Sequence, residues 1–328
     1  GVALGNKSVF WIEPDCFIVN IVFAWEQAIG KTTQSEVGMI GSHRFPMYRP
    51  VNDTVDIDYL ISYFLTKRGI DILEAASPGG AGRNKTLGQD RFLKSKIILP
   101  PIEEQRKIAA ILTTQDKVIE LKEKRLVEKQ RQKKYLMQQL LTGKKRLPGF
   151  AFEVEKTNIK AISTYSVSTI SQTMLESYEG KQLYPVFNAN SIAGYVDFYE
   201  NECPYISVIK DGAGIGRVRL CEAKSSTIGT MGCIHARKGI SIIFLYYLLE
   251  QVDFNKYSNG STIPHLYYKD YSCEKVRIPD IKEQTAIAEV LSTADREIEL
   301  LQQDIEQEKQ KKKALMQLLL TGIVRVKT

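Results

Sequence analysis

The sequence predicts a mixed α/β chain: two β-rich globules with short helices, separated by two long helices that pair as an antiparallel coiled coil, with a pseudo-two-fold internal repeat. Three observations predict it. The stretch Ile102–Gly143 returns as Ile281–Gly322, with Gln105 and Gln284, and Gly143 and Gly322, each displaced by 179 residues and no insertion or deletion in either copy. Helices lose register with any insertion, so two ungapped copies read as two helices of fixed length. Within each copy apolar residues recur at heptad spacing, and the segments outside the copies alternate in the strand manner and are rich in turn residues.

Taken in order, residues 1–101 form a first globule, 102–146 a first long helix, 147–280 a second globule and 281–328 a second long helix. In the first helix the heptad seam runs through Leu112, Ile119, Leu126, Lys133 and Leu140, and in the second through Leu291, Ile298, Ile305, Lys312 and Leu319. The companion seam is Ile108, Gln115, Lys122, Lys129 and Leu136 against Ile287, Ala294, Leu301, Glu308 and Leu315, stronger in the second copy. At 1.5 Å per residue each rod is about 60 Å long. Lys133 and Lys312 sit at equivalent seam positions where burial is costly, and are expected to snorkel or to loosen the pair.

Each globule should contain a short apolar helix, at Ile57–Leu65 and Ile242–Leu249. Each is followed by a polar or Gly-rich loop, at 79–86 and 258–265, and closed by a strand, at Lys96–Pro100 and Lys275–Pro279. The globules therefore read as divergent copies of one fold. Matching Ile29–Lys31 with Ile215–Arg217 aligns them, and the first globule is then expected to lack about 40 residues at its front relative to the second.

Composition narrows the function. A 43% hydrophobic content suffices for two cores, and the net charge of +7, concentrated at Lys133–Lys134, Lys144–Arg146 and Lys311–Lys313, suits a polyanionic partner. The cysteines Cys16, Cys203, Cys221, Cys233 and Cys273 show no C-x-x-C spacing, which argues against zinc and against a disulfide framework and fits a reducing, cytoplasmic setting. No apolar run is long enough to span a membrane. Gly212–Gly216 looks like a phosphate-cradling turn, but no Lys-Ser/Thr pair follows it. No Walker A sequence and no Asn-Pro-Pro-Tyr motif of amino-methyltransferases is present, and His43, His235 and His265 lack the spacing of a zinc hydrolase helix. A nuclease would need an acidic metal cluster, which the sequence does not offer. The chain is therefore expected to recognise and position, without catalysis of its own.

Tyr184–Asn190 followed by Gly194–Asp197, the segment Tyr205–Arg217, the "IP-x-I-x-EQ-x-x-I-A" helix entry at Ile278–Ala288 with its twin at Leu99–Ala109, and the "LL-x-TG" ends at Leu140–Gly143 and Leu319–Gly322 together resemble the specificity subunit of type I restriction-modification enzymes, HsdS. The resemblance implies two target recognition domains, each reading half of a split duplex DNA sequence, held apart by the helices as a ruler. It further implies docking of two methyltransferase (M) subunits, which hold S-adenosylmethionine, and of restriction/translocase (R) subunits using ATP and Mg, with no cofactor or metal in this chain. A coiled-coil scaffold with protein-binding globules is the alternative. It predicts no salt-sensitive DNA binding.

DNA reading needs cations for phosphate and donors or acceptors on loops that reach base edges. The first globule offers Lys31, Thr32, Ser42, His43 and Arg44, with Arg83, Asn84 and Lys85. The second offers Lys210, Asp211, Arg217 and Arg219 around the glycine turn, with Asn259, Ser261, Thr262 and His265 on the later loop. The duplicated Lys-rich outer faces and the apolar positions left over outside the seam, including Ile111, Met137, Val290 and Met316, are expected to form two similar docking faces for the methyltransferase subunits.

Overall fold

The computed structural model describes residues 9–79, 85–151, 155–212, 214–260 and 264–327. The chain divides into two compact units, one of residues 1–125 and 301–328, the other of residues 126–300.

In the first unit, β1 (Val9–Trp11) pairs with β4 (Ile40–Ser42), and β2 (Phe17–Val19) lies between β3 (Ile29–Lys31) and β5 (Met47–Tyr48), all antiparallel. Helix α1 (Ile57–Phe64) follows, started by Asp56, whose Oδ1 accepts from the Tyr59 amide at 2.8 Å. Next come α2 (Lys67–Ala76), α3 (Gln89–Leu93) and the first long helix, α4 (Ile102–Leu140). Phe17, Phe64 and Phe92 meet in the core, with ring centroids 5.4–6.1 Å apart. The strand expected at Lys96–Pro100 does not form. No described strand of this unit lies alongside to satisfy its amides, and Ile98 is 94% exposed.

The second unit is more elaborate. Its strands and short helices run β6 (Glu155–Asn158), α5 (Ile159–Ile162), β7 (Ser163–Val167), α6 (Gln172–Glu176), β8 (Tyr184–Phe187), β9 (Ile192–Val196), β10 (Tyr205–Ile209), β11 (Val218–Cys221), β12 (Ser226–Thr227), β13 (Met231–Ala236), α7 (Ile242–Glu250), β14 (Ser258–Asn259), β15 (His265–Leu266), α8 (Tyr268–Tyr271) and β16 (Lys275–Ile278), before the second long helix, α9 (Ile281–Leu320). The central sheet has the order β11-β10-β13-β7, and β10 is buried at every position. Helix α7 lies against β10, β11 and β13. It is apolar nearly all round, as suits a helix enclosed on most sides, and Phe244, Leu245, Tyr247, Leu248 and Leu249 are buried. Here the closing strand does form: β16 pairs along its length with β6. The triad of strands β2, β3 and β5 with α1 repeats the plan of β10, β11 and β13 with α7, so the units share a nucleus.

The long helices run antiparallel within each unit. In the first, Gln115 Nε2 donates to Glu308 Oε2 at 2.7 Å, Lys122 Nζ lies 2.8 Å from both Asp304 and Glu308, and Lys312 meets Asp116. In the second, Lys129 meets Glu297 at 2.6 Å and Lys133 meets Asp295 at 2.7 Å. The polar residues that weaken the first copy's companion seam thus face acidic partners. Lys133 and Lys312 do not loosen the pairing: Lys133–Asp295 and Lys312–Asp116 are the same contact repeated at the 179-residue interval. Ile108, Leu112, Ile119, Leu140, Leu291, Ile305 and Leu319 are buried on the apolar side.

The "EQ" pair ties each helix start to its globule. Gln105 and Gln284, both fully buried, accept from the amides of Asp56 and Ser241, the N-caps of α1 and α7, and donate to Pro100 O and Pro279 O. Glu104 receives Arg325 in a two-pronged pair, and Glu283 receives Arg146 likewise. Arg325 and Arg146 follow the "TG" ends, so each helix entry is clamped by the exit of the other helix. The apolar positions expected to be free for docking are in part occupied. Met137 is buried in the second unit's core, and Val290 and Met316 pack against the cores of their own units, while Ile111 stays 37% exposed.

Candidate nucleic-acid interface

In the second unit three loops converge: the turn 188–191, the glycine turn 210–217 and the hairpin β14–β15. Gly212, Gly214 and Gly216 all have positive φ, the region open to glycine at little cost. At Gly216 a Cβ would also lie 2.3 Å from the Cβ of Phe254. These positions therefore suit glycine alone, and Asp211, at the start of the turn, meets His265.

Asp211 and His265 bridge in antiparallel fashion, and the Leu266 amide donates to Lys210 O at 2.8 Å. Asp211 Oδ2 takes Lys210 Nζ at 2.6 Å and Oδ1 lies 2.8 Å from His265 Nδ1. Burial alone would raise the Asp211 carboxyl; the hydrogen bonds from Lys210 and His265 outweigh it and hold the group below its ordinary range.

Across the turn, exposed Arg217 donates through Nη2 to Asn190 Oδ1 at 3.0 Å, and the Arg219 guanidinium lies 4.6 Å from the Phe187 ring centroid. Asn259 donates to Tyr257 O and, at 3.4 Å, to Asp270. Asn190 and Phe187, which the sequence offered only within the Tyr184–Asn190 motif and not as candidate DNA contacts, hold these two arginines. The signal for Asn190 was local: Asn188 Oδ1 accepts from the amides of Asn190 and Ser191, the side-chain-to-backbone turn that Asn favours.

The first unit's candidates are less concentrated. Lys31 is committed to Asp58 at 2.9 Å, with Asp15 at 3.8 Å; the Asp58 hydrogen bond raises its pKa against the opposing effect of burial. Flanked by carboxylates, it is a poor phosphate contact. Buried Thr32 bonds Cys16 through its hydroxyl and belongs to the core. Ser42 accepts from the Arg44 amide at 3.3 Å, and His43 and Arg44 are exposed on the turn after β4. Lys85 lies over the Trp25 ring at 5.1 Å. Arg83, Asn84, Ser261 and Thr262 lie outside the described residues. Among the described residues no group of His, Cys, Asp or Glu is placed to hold a metal ion, and no helix is long and apolar enough to cross a membrane.

A family model described as the type I restriction modification DNA specificity domain matches residues 14–130 and again 144–310. The chain is 28% identical over 274 residues to a putative type I restriction enzyme MjaX specificity subunit of Methanocaldococcus jannaschii, and 26% identical over 273 residues to the MjaVIII specificity subunit of the same organism. These alignments take in 76% and 72% of this chain, which spans 64% of the length of each relative. In fold it is similar to the S subunit of a type I restriction-modification system from M. genitalium, with a TM-score of 0.62 at 16% identity over 94% of this chain and 84% of that one. A structure described under the complex assembly and conformational transition of the type I restriction-modification system gives a TM-score of 0.59 at 15% identity, covering 96% and 84%.

Proposed function

We propose that this chain, which belongs to the type I restriction modification DNA specificity family, is the non-catalytic DNA-recognition subunit of such an enzyme and reads a bipartite duplex target with its two globules. The observation that carries this reading is the loop cluster of the second unit. Arg217, Arg219, Lys210, Asp211 and His265 bring cations, a donor-acceptor pair and an imidazole together from the glycine turn, β11 and the β14–β15 hairpin, the mixture that phosphate contact and base-edge reading require.

In this reading the antiparallel helices act as a spacer between half-sites. Two methyltransferase subunits dock on the duplicated plan and bring S-adenosylmethionine, and restriction subunits bring ATP and Mg. Arg44, His43 and Lys85 are the first unit's best candidates for DNA contact, since Lys31 is already neutralised.

A domain exchange tests the reading. Residues 147–279 are replaced by the equivalent globule of a relative, the chain is produced with its methyltransferase partner, and methylated positions are mapped. One half of the recognised sequence should change while the gap is kept. Change in both halves or in neither would refute the modular assignment, and loss of all salt-sensitive DNA binding by the wild-type complex would favour the protein-binding scaffold.

A further inference from the structure

Resting on the DNA-reading function just proposed, the geometry of the second unit points to a more specific role for two of its residues: we infer that His265 reads an exocyclic amino group on a base edge through Nε2, and that Asp211 is the positioning residue that makes Nε2 an acceptor. Asp211 Oδ1 is 2.8 Å from His265 Nδ1, and its other oxygen is taken by Lys210 at 2.6 Å. An ionised carboxylate can only accept, so Nδ1 must carry the proton. In the uncharged imidazole Nε2 is then the acceptor, with its lone pair directed away from Asp211.

Three features favour a reading role over a purely structural one. The His265 side chain is 44% exposed while Asp211 is the more enclosed partner, at 29%. The ring is fixed from both sides of the pair, because the two residues are also backbone partners and the Gly212 amide donates to Pro264 O at 3.0 Å. Lys210 offsets the charge of Asp211, so the pair can approach DNA without presenting a net negative charge to phosphate. An acceptor at this point matches the amino groups of adenine N6 or cytosine N4 in the major groove, or guanine N2 in the minor groove. It does not match the acceptor face of guanine or thymine in the major groove.

The test uses the full chain purified with its methyltransferase partner at pH 8.5. A preferred duplex is selected from a randomised library, and each adenine, cytosine and guanine of the half-site is then replaced by an analogue lacking only its exocyclic amino group. For the wild type, one replacement should weaken binding roughly 10-fold, the effect of about 1.4 kcal/mol. In His265→Ala the intact and the replaced duplex should bind alike. Asp211→Ala should lose most of the same discrimination, and in the His265→Ala background it should change that ratio no further. Because the readout is a ratio between two duplexes, general loss of affinity or of folded protein cancels. A wild type insensitive to every replacement, a His265→Ala variant that keeps the sensitivity, or an Asp211 effect that persists without His265 would each overturn the inference. If no sequence is selected over random DNA, the DNA-reading function itself fails.

Discussion

Gly216 shows how narrowly a single position can be specified: its φ of +80° already disfavours any side chain, and a Cβ would meet Phe254 at 2.3 Å. Gly216→Ala should destabilise the second unit by about 1–3 kcal/mol, through strain and a shifted Phe254, and urea unfolding would show it. Arg217 is held by Asn190, and in the proposed reading it contacts a base edge. Arg217→Ala should relax discrimination at one base pair by about 1–3 kcal/mol, measured on duplexes differing at that pair. Replacing Lys31 should leave DNA affinity nearly unchanged, since Asp58 and Asp15 already occupy it. A drop in salt slope of about one for Lys31→Ala would contradict that. All of these residues were visible in the sequence as glycine, cation or polar loop positions. That Lys31 is spent and Asn190 is engaged was not, because ion pairing depends on neighbours brought from elsewhere in the chain.

Between the long helices, polar and acidic groups pair across the antiparallel register alongside the apolar seam. The Glu308 carboxyl is held down to about 2, mainly by the hydrogen bond from Lys122 and then by that from Gln115. A depressed carboxyl contributes stability that is fully present above its unfolded value of 4.5 and is lost as pH falls towards 2. Lys122→Ala should therefore melt below the wild type at pH 6, with the gap closing between pH 5 and pH 2; a gap independent of pH would count against the Lys122 pairing. At the helix entries, Glu104→Ala leaves Arg325 and the Val326 amide without their acceptor. The cost should be about 1–3 kcal/mol, read by urea unfolding of the first unit. The "EQ" pair stood out in the sequence as a motif. Its use, Gln stitching the short helix and Glu clamping an arginine from beyond the other helix, became clear only when residues 104 and 325 were brought together.

For the whole molecule, the proposed spacer role makes a length prediction. Inserting four residues into both long helices adds about 6 Å of rise per rod, against 3.4 Å per base pair, so the non-specific gap in the target should grow by one or two base pairs. Methylation mapping that finds the original gap with activity intact would exclude the helices as the ruler. Two methyltransferase subunits per chain are expected, and native mass spectrometry at saturation counts them. Of the apolar positions expected to serve docking, Met137 is buried in its own unit's core and Val290 and Met316 are partly buried, whereas Ile111 is exposed.

The sequence by itself determined the internal repeat, the two rods, the short apolar helices and the glycine turn, because helical periodicity, exact spacing and glycine content are local properties that need no partner. It also determined the family, through motifs recurring at a fixed interval. Tertiary structure alone decided three things. Residues 275–278 form a strand because β6 supplies their hydrogen bonds, while 96–99 have no such described neighbour. The lysines of the weak seam are satisfied because acidic residues of the antiparallel partner arrive opposite them. And Asp211 and His265, 54 residues apart in the chain, become one unit because a positive-φ turn and a hairpin close on each other. Each depends on which group a distant segment places within hydrogen-bond reach, and composition and spacing do not encode that distance.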